Sequence, residues 1–441
     1  MKRMAKTVAI LLALTLLLTA CGGGDTPAVD TGGSEEPAGV EEEVVLRFSW
    51  WGGDERHEKT LEAIALFEER NPGVKIEAEY GGWSGFQEKY ATQMAGNTAA
   101  DIMQVNWNWL YIFSKDGNGY YDLNDLSDYV DLSNYDQAIM DQVTINNKVN
   151  ALPLGIGAKV FYYNETTYAK AGVEIPKTFE DLFAAADVFK EQLGNEYYPI
   201  DVDAYGAFLM VLYYLEQTTG QPFMNENNEI NYTEGQLVEA LEFYNEMVER
   251  GVTPSMQQRA GAGDVPVDQT PSWIQGKYGG TYEWDSAINK FQAALEGEQT
   301  IVTGDYLKDL GSYDSALAKV SMTYAINKDT KHPEIAAQFL NFLVADPDSV
   351  ALQGTARGIP ANKAAIETLE SMGMLSGLTY EGNVKATQFL GKGINPYFES
   401  GELQDLYREL IDQFGYGRIN AQQTAERLIN EVNSMTQELA Q

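Results

Sequence analysis

Seven tryptophans and the polar residues beside them hold most of the chemistry in this 441-residue sequence. Trp50-Trp51 is followed by Gly52-Gly53 and then Arg56-His57. Gly81-Gly82-Trp83 is followed by Gln87. Asn106-Trp107-Asn108-Trp109 interleaves amides with indoles, and Glu283-Trp284-Asp285 flanks an indole with carboxylates. An indole face packs on the apolar C–H face of a sugar ring, while planar amides and carboxylates grip hydroxyls. Trp50, Trp51, Trp83, Trp107 and Trp284 are candidate platforms. Asn106, Asn108, Gln87, Glu283 and Asp285 are candidate hydroxyl partners. Each has a plainer reading. Adjacent tryptophans at a strand end send one ring inward and one outward, so Trp50 or Trp109 can equally be core. Arg56 can equally sit on the solvent face of a helix.

Catalytic patterns are missing. Gly82-Trp83-Ser84-Gly85 lacks the second glycine of a nucleophile elbow. Gly391-Lys392-Gly393 lacks the rest of a phosphate-binding loop, and His57-Glu58 is not followed by the second histidine of a zinc-protease helix. Glu283 and Asp285 form a pair of the kind glycosidases use, but i, i+2 spacing is not diagnostic. Asp201, Asp203 and the Asn225–Glu229 stretch read as solvated acidic loops before they read as a calcium site. No motif requires a cofactor or a metal.

The elements that must position these residues follow from periodicity. Val44–Trp50 reads as a strand and Asp54 opens a helix with Leu61, Ile64 and Phe67 at helical spacing. Asn71-Pro72-Gly73 stops it, and Val74–Tyr80 alternates as a second strand. Phe86–Met94 reads as a helix and Asp101–Asn106 as a buried strand. Strands alternating with helices imply a parallel sheet, whose ligands sit beyond the carboxyl ends of the strands. The tryptophans recur at those ends. Further on, Gly155 and Gly157 beside Pro153 mark a crossing rather than a strand core. Lys159–Tyr163 is a strand, and Thr178 caps a helix with Asp181 in the capping-box position. Helices cover Tyr205–Thr218 and Thr233–Arg250, and 252–266 reads as loop. Lys277–Asp285 is a strand entering a helix. A strand ends at Asn327, a helix runs from His332 through Leu343, and Thr355–Pro360 is a second crossing. Gly401–Gln441 is an amphipathic helical tail.

Composition narrows the function classes. Lys and Arg number 30 against 65 Asp and Glu, a formal charge of −35, which opposes binding to nucleic acid or to an anionic lipid surface. One Cys and two His exclude a disulfide framework and a cysteine zinc site. Lys2, Arg3 and Lys6, an apolar run from Val8 to Leu18 and small residues before Cys21 make a secretory signal too short to span a bilayer comfortably. Leu18-Thr19-Ala20-Cys21 resembles the bacterial lipobox, which implies cleavage after residue 20 and a lipid on Cys21. Residues 21–43, rich in Gly, Pro, Ser and acid, then read as a flexible tether.

Together these residues resemble a family. Phe67-x-x-x-Asn71-Pro72-Gly73-Val74, Gln93-Met94-Ala95-Gly96 to Asp101, Leu152-Pro153, Thr178-Phe179-Glu180-Asp181-Leu182 and His332-Pro333-Glu334 to Phe342-Leu343 are similar to the extracellular sugar-binding proteins of bacterial ABC importers (solute-binding protein family 1). The resemblance implies an α/β, two-lobed periplasmic-binding-protein-like fold with a hinge and an interlobe ligand cleft. It implies lobe 1 at 44–152 and 325–355, and lobe 2 at 153–324 and 356–441. It implies a monomer on the outer face of the cytoplasmic membrane that delivers oligosaccharide to a permease. A narrower likeness runs from Phe48 to Leu123. Trp50-Trp51-Gly52-Gly53-x-x-Arg56-His57, Gly82-Trp83-Ser84-Gly85, Gln104 to Trp109 and Phe113-Ser114-Lys115-x-Gly117-x-Gly119-x-Tyr121-Asp122-Leu123 resemble oligogalacturonide-binding proteins. Gly81 stands where such relatives often carry Thr or Ser. A uronate carboxylate needs a cationic partner, for which Arg56, His57, Lys159 and Arg357 are the candidates. A neutral plant oligosaccharide, or a surface glycosidase or lyase, remains the alternative.

Overall fold

The computed structural model describes residues 43–440, apart from Ala262, Asp264, Leu390 and Lys392. The signal segment, Cys21 and the tether up to Glu42 lie outside the described residues.

The chain opens with β1 (Val44–Trp51), the Asp54–Arg70 helix, β2 (Val74–Gly81), the Phe86–Ala95 helix, β3 (Ile102–Asn106) and the Trp107–Phe113 helix. The Asp54–Arg70 helix buries Thr60, Ala63, Ile64 and Phe67, a single stripe, and carries acids in its first turn and Arg70 in its last, as its dipole favours. β1 pairs in parallel with β2 from Val44 opposite Val74 to Trp51 opposite Gly81, and with β3 at Phe48 opposite Ile102. The three carboxyl ends therefore lie side by side. A short hairpin, β4 (Thr144–Ile145) and β5 (Lys148–Val149), turns through Asn146 and Asn147, both at positive φ.

β6 (Leu152–Asn164) is the long connector. With β7 (Gly280–Trp284), β8 (Ile301–Thr303) and β9 (Ala318–Ile326) it completes a sheet of order β2-β1-β3-β9-β6-β7, in which β8 also pairs with β6. The amino half of β6 pairs antiparallel with β9, which pairs antiparallel with β3. Its carboxyl half pairs antiparallel with β7 and β8. The parallel sheet expected from sequence holds for β1–β3 only; β9 returns antiparallel.

Gly155 and Gly157 lie inside β6, not in a break between strands. Where the sequence predicts a crossing, the ladder with β9 shifts register at Pro153–Gly155 and Gly155–Ile156. The 252–266 segment contains a helix, Met256–Gly261. Its signal is the Ser255–Gln258 box, in which the Gln258 amide donates to Ser255 Oγ and the Ser255 amide donates to Gln258 Oε1. The tail forms two helices, Gly401–Gly415 and Ala421–Ala440, interrupted near Gly417 at φ 67°. The capping box of Thr178 and Asp181 forms as its spacing predicts.

The Ala204–Thr219 helix, apolar and buried around most of its length, packs against the Glu234–Glu249 and Gly401–Gly415 helices. The Lys363–Ser371 helix packs on the Pro333–Ala345 and Pro347–Gln353 helices, and Lys363 pairs with Asp136. The chain then meets β6 and β8 again through the Gly377–Thr387 helix.

Candidate functional site

Strand alternation at the end of β1 separates its two tryptophans. Trp50 is buried on the face covered by the first helix, where its indole N–H donates to His57 Nδ1 at 3.1 Å and its ring stacks on Tyr80 at 4.9 Å. Trp51 turns to the other face and meets Trp83, Phe86 and Trp109 at 5.2, 5.4 and 5.3 Å. In this cluster Trp83 stands out, 53% exposed while Trp51 and Trp109 are buried. Gln87 is exposed in the first turn of the next helix.

Asn106 ends β3 and leads directly into the Trp107–Phe113 helix. Trp107 is buried, and its indole N–H donates to the Gln142 carbonyl at 2.7 Å, so it serves as a structural tie. Asn108 is half-buried, and its Oδ1 is buried with no hydrogen-bond partner among the described residues. A buried acceptor left unpaired costs free energy that a ligand hydroxyl would recover.

Two arginines converge on the same strand ends. Arg56 Nε donates to the Ala356 carbonyl at 3.0 Å, and Nη1 donates to the Trp51 carbonyl at 3.1 Å and to Met322 Sδ at 3.5 Å. Its Nη2 has no acceptor among the described residues and is not sealed from solvent. Arg357 is buried and donates to Gln104 Oε1, Thr60 Oγ1 and Gln353 Oε1 at 3.1, 2.7 and 3.1 Å. Every one of these partners is neutral. Burial and the neighbouring Arg357 push Arg56 down to about 10, and burial pushes Arg357 down as well. In a chain with 65 acids, two half-buried or buried guanidiniums without a carboxylate form a local positive site.

A second group lies further along β6. Lys159 sits opposite Trp284 in the β6–β7 ladder and pairs with Glu283 at 2.7 Å. Asp285 is buried. Its carboxylate accepts from the Ala158 amide at 3.2 Å and from Asn383 Nδ2 at 3.0 Å, and burial pushes its pKa up. Glu283 and Asp285 are thus both engaged by partners within the chain, Lys159 for one and Ala158 with Asn383 for the other.

The two groups share a floor. Met322 of β9 lies opposite both Asn106 of β3 and Gly155 of β6, while Lys319 lies opposite Gly157. Three residues along a strand span about 10 Å. Lys319 was not singled out by the sequence reading, nor were Glu399, Tyr80, Gln142 or Met322. The signal for Lys319 was available: its strand was recognised only at its end, and following the pattern back to Ala318 reaches it.

The fold and the site can now be compared with known proteins. A model of the bacterial extracellular solute-binding proteins matches residues 53–348, well over half of the chain. This chain belongs to that family. A periplasmic oligogalacturonide-binding protein from Yersinia enterocolitica is 36% identical to this solute-binding protein, with TM-score 0.85 over 90% of this chain and 100% of that one. The same protein in complex with saturated digalacturonic acid aligns with TM-score 0.76 over the same shares. A de novo designed cysteine esterase is also 36% identical, with TM-score 0.87 over 91% and 100%. The single cysteine here, Cys21, lies outside the described residues, so the described part of this solute-binding protein has no thiol. A maltooligosaccharide ABC transporter solute-binding lipoprotein of Streptococcus pneumoniae is 26% identical over 82% of this chain and 81% of that protein. This solute-binding protein spans about half the length, 47%, of the first curated relatives it matches, putative binding proteins of Brucella abortus that are 25% identical over 44% of this chain.

Proposed function

We propose that this chain is the extracytoplasmic receptor of an ABC sugar importer and that it captures an acidic oligosaccharide of the oligogalacturonide type. The carrying observation is the Arg56–Arg357 pair, whose hydrogen bonds all go to neutral acceptors; one of these is the carbonyl of Trp51, whose ring meets the exposed Trp83. A uronate offers an apolar ring face for Trp83 and a carboxylate for the free arm of Arg56. Met322 links this station to Lys319 along one strand, which suits a ligand whose carboxylates repeat along its length.

The remaining parts of the reading follow the family. Cys21 carries the lipid anchor and residues 21–43 the tether. One lobe combines 44–152 with the segment returning from 325, extended to about Ser371 on the packing described above. The other holds the middle and the C-terminal helices. A monomer closes on its sugar about the β6 and β9 crossings and docks on the membrane permease.

A neutral oligosaccharide is the second reading, favoured by the aromatic shelf itself and by the Streptococcus relative. Calorimetric titration with di- and trigalacturonate beside neutral galacto-, xylo- and malto-oligosaccharides separates the two. Heat from the uronates alone supports the acidic ligand. Heat from a neutral sugar with silence from the uronates discards it and keeps the receptor.

A further inference from the structure

Lys319 and Glu399 form an ion pair between two segments that share no strand ladder. Lys319 belongs to β9. Glu399 ends the Pro396–Glu399 turn, which is fastened into the second lobe by Phe398, whose ring lies 5.3 Å from Tyr407 and 5.4 Å from Phe223. The same turn packs against the Trp107–Phe113 helix that carries Asn108. Beside the pair lies Trp284, partly exposed, with the ammonium groups of Lys319 and Lys159 at 5.0 and 5.3 Å from its ring.

An aromatic face with an ammonium at its edge is what a uronate residue needs: the ring takes the C–H face and the ammonium takes the carboxylate. Here each ammonium already has a carboxylate from the chain, Glu283 on Lys159 and Glu399 on Lys319. The two pairs differ in kind. Lys159 is 5% exposed, and its partner lies on the adjacent strand of the same ladder, so that pair moves as one body. Lys319 remains one fifth exposed, and its partner arrives from the far end of the sequence on a separate turn.

We propose that Glu399 is an internal stand-in for the ligand, holding Lys319 until a uronate carboxylate takes its place and releases the Pro396–Glu399 turn. This rests on the acidic-ligand reading and deepens it, making Lys319 a specificity-determining residue and Glu399 its competitor. Trading one carboxylate for another keeps Lys319 neutralised throughout, so the site selects for charge without leaving a half-buried ammonium unpaired. A neutral sugar has nothing to offer Lys319 and leaves the pair in place.

Titration of the chain from Gly22 onward with digalacturonate and with a neutral disaccharide tests this. Glu399→Gln should bind digalacturonate at least fivefold more tightly than the parent, because the competing carboxylate is gone. Lys319→Met should bind it at least tenfold more weakly, Lys319→Arg should restore part of the loss, and the neutral disaccharide should not respond to any of the three. In Lys319→Met the Glu399→Gln change should give no further gain. Thermal unfolding confirms that each variant is folded, and Glu399→Ala, which also removes the carboxylate, serves if Glu399→Gln is not. A parent that binds digalacturonate with affinity unmoved or weakened in both Glu399 variants overturns the exchange and leaves the acidic-ligand reading standing. A parent that ignores digalacturonate overturns both.

Discussion

The exposed indole of Trp83 lies 5.5 Å from the buried indole of Trp109, with ring planes 14° apart. Trp109 is in turn fixed by Trp51 at 5.3 Å and Tyr90 at 5.4 Å. One ring of the stack is core and the other is surface. The buried ring holds the exposed one in a set orientation, so Trp83 can offer its outer face without first ordering itself, and that lowers the entropic cost of binding.

Replacing the two should therefore separate binding from folding. Trp83→Ala should lower oligosaccharide affinity at least tenfold while leaving the unfolding midpoint nearly unchanged. Trp109→Ala should cost about 3–5 kcal/mol of stability, as expected for a large buried aromatic. Titration calorimetry and urea unfolding of both variants check this. Unchanged affinity in Trp83→Ala would remove the platform from the proposed site.

The arginines divide in the same way. Arg56→Gln removes a partly accessible guanidinium, and digalacturonate affinity should fall by about 1.5–3 kcal/mol, the range for hydrogen bonds to charged groups, with little effect on neutral sugars. Arg357→Gln instead leaves Gln104, Thr60 and Gln353 short of a donor in a buried setting. Its main effect should be on stability, by at least 1–3 kcal/mol in order of magnitude. Equal binding losses in both variants, with no change in unfolding, would contradict this division.

Much of this arrangement is legible in the sequence because local rules decided it. The strand–helix alternation from Val44 to Asn106, the Asn71-Pro72-Gly73 stop and the Thr178–Asp181 box all form as their patterns predict. Spacing also gathers Trp51, Trp83 and Trp109 at neighbouring strand ends. Local pattern cannot say which face a residue takes. Trp50 and Trp107 lie in the core, and Arg357 is spent on Gln104 and Thr60, 253 and 297 residues away in sequence. Nor does it foresee partners brought by topology: Glu399 meets Lys319 only because β9 and the Pro396–Glu399 turn are folded together. Glycine and proline punctuate chains, so Gly155 beside Pro153 reads from sequence as a crossing rather than a strand core. In the folded protein it is a strand residue whose missing side chain admits another segment.

That last point is testable. A Cβ at Gly155 would stand 3.1 Å from the Ile359 carbonyl oxygen and 3.2 Å from that of Arg357. Both are backbone atoms of the 355–360 segment, so they cannot step aside as a side-chain tip would. Gly155→Ala should destabilise by about 1–3 kcal/mol, the usual range for overpacking, and should shift ligand affinity by pushing β6 and that segment apart. Gly53→Ala, where a Cβ meets nothing within 4 Å, is the control. Matching unfolding curves for the two variants would contradict the close approach.

Asp201 gives stability a pH dependence of definite sign. It is fully buried. Arg259 engages Oδ1, but Oδ2 has no partner among the described residues. Burial raises its pKa to about 6 against the opposing pull of Arg259, with nearby Asp203 adding to the rise. Between the unfolded value of 3.8 and this folded value, the native state holds a proton that the unfolded chain has lost. The associated stability is fully present below pH 4 and is lost as pH rises through 6. Asp201→Asn cannot titrate, so urea unfolding of the parent and this variant at pH 4 and pH 7.5 isolates the effect. The parent should lose about 2 kcal/mol relative to the variant between those two values. A difference that stays constant with pH, or that moves in the parent's favour, would mean that Arg259 compensates the burial of Asp201 and that the carboxylate is charged in the folded protein throughout this range.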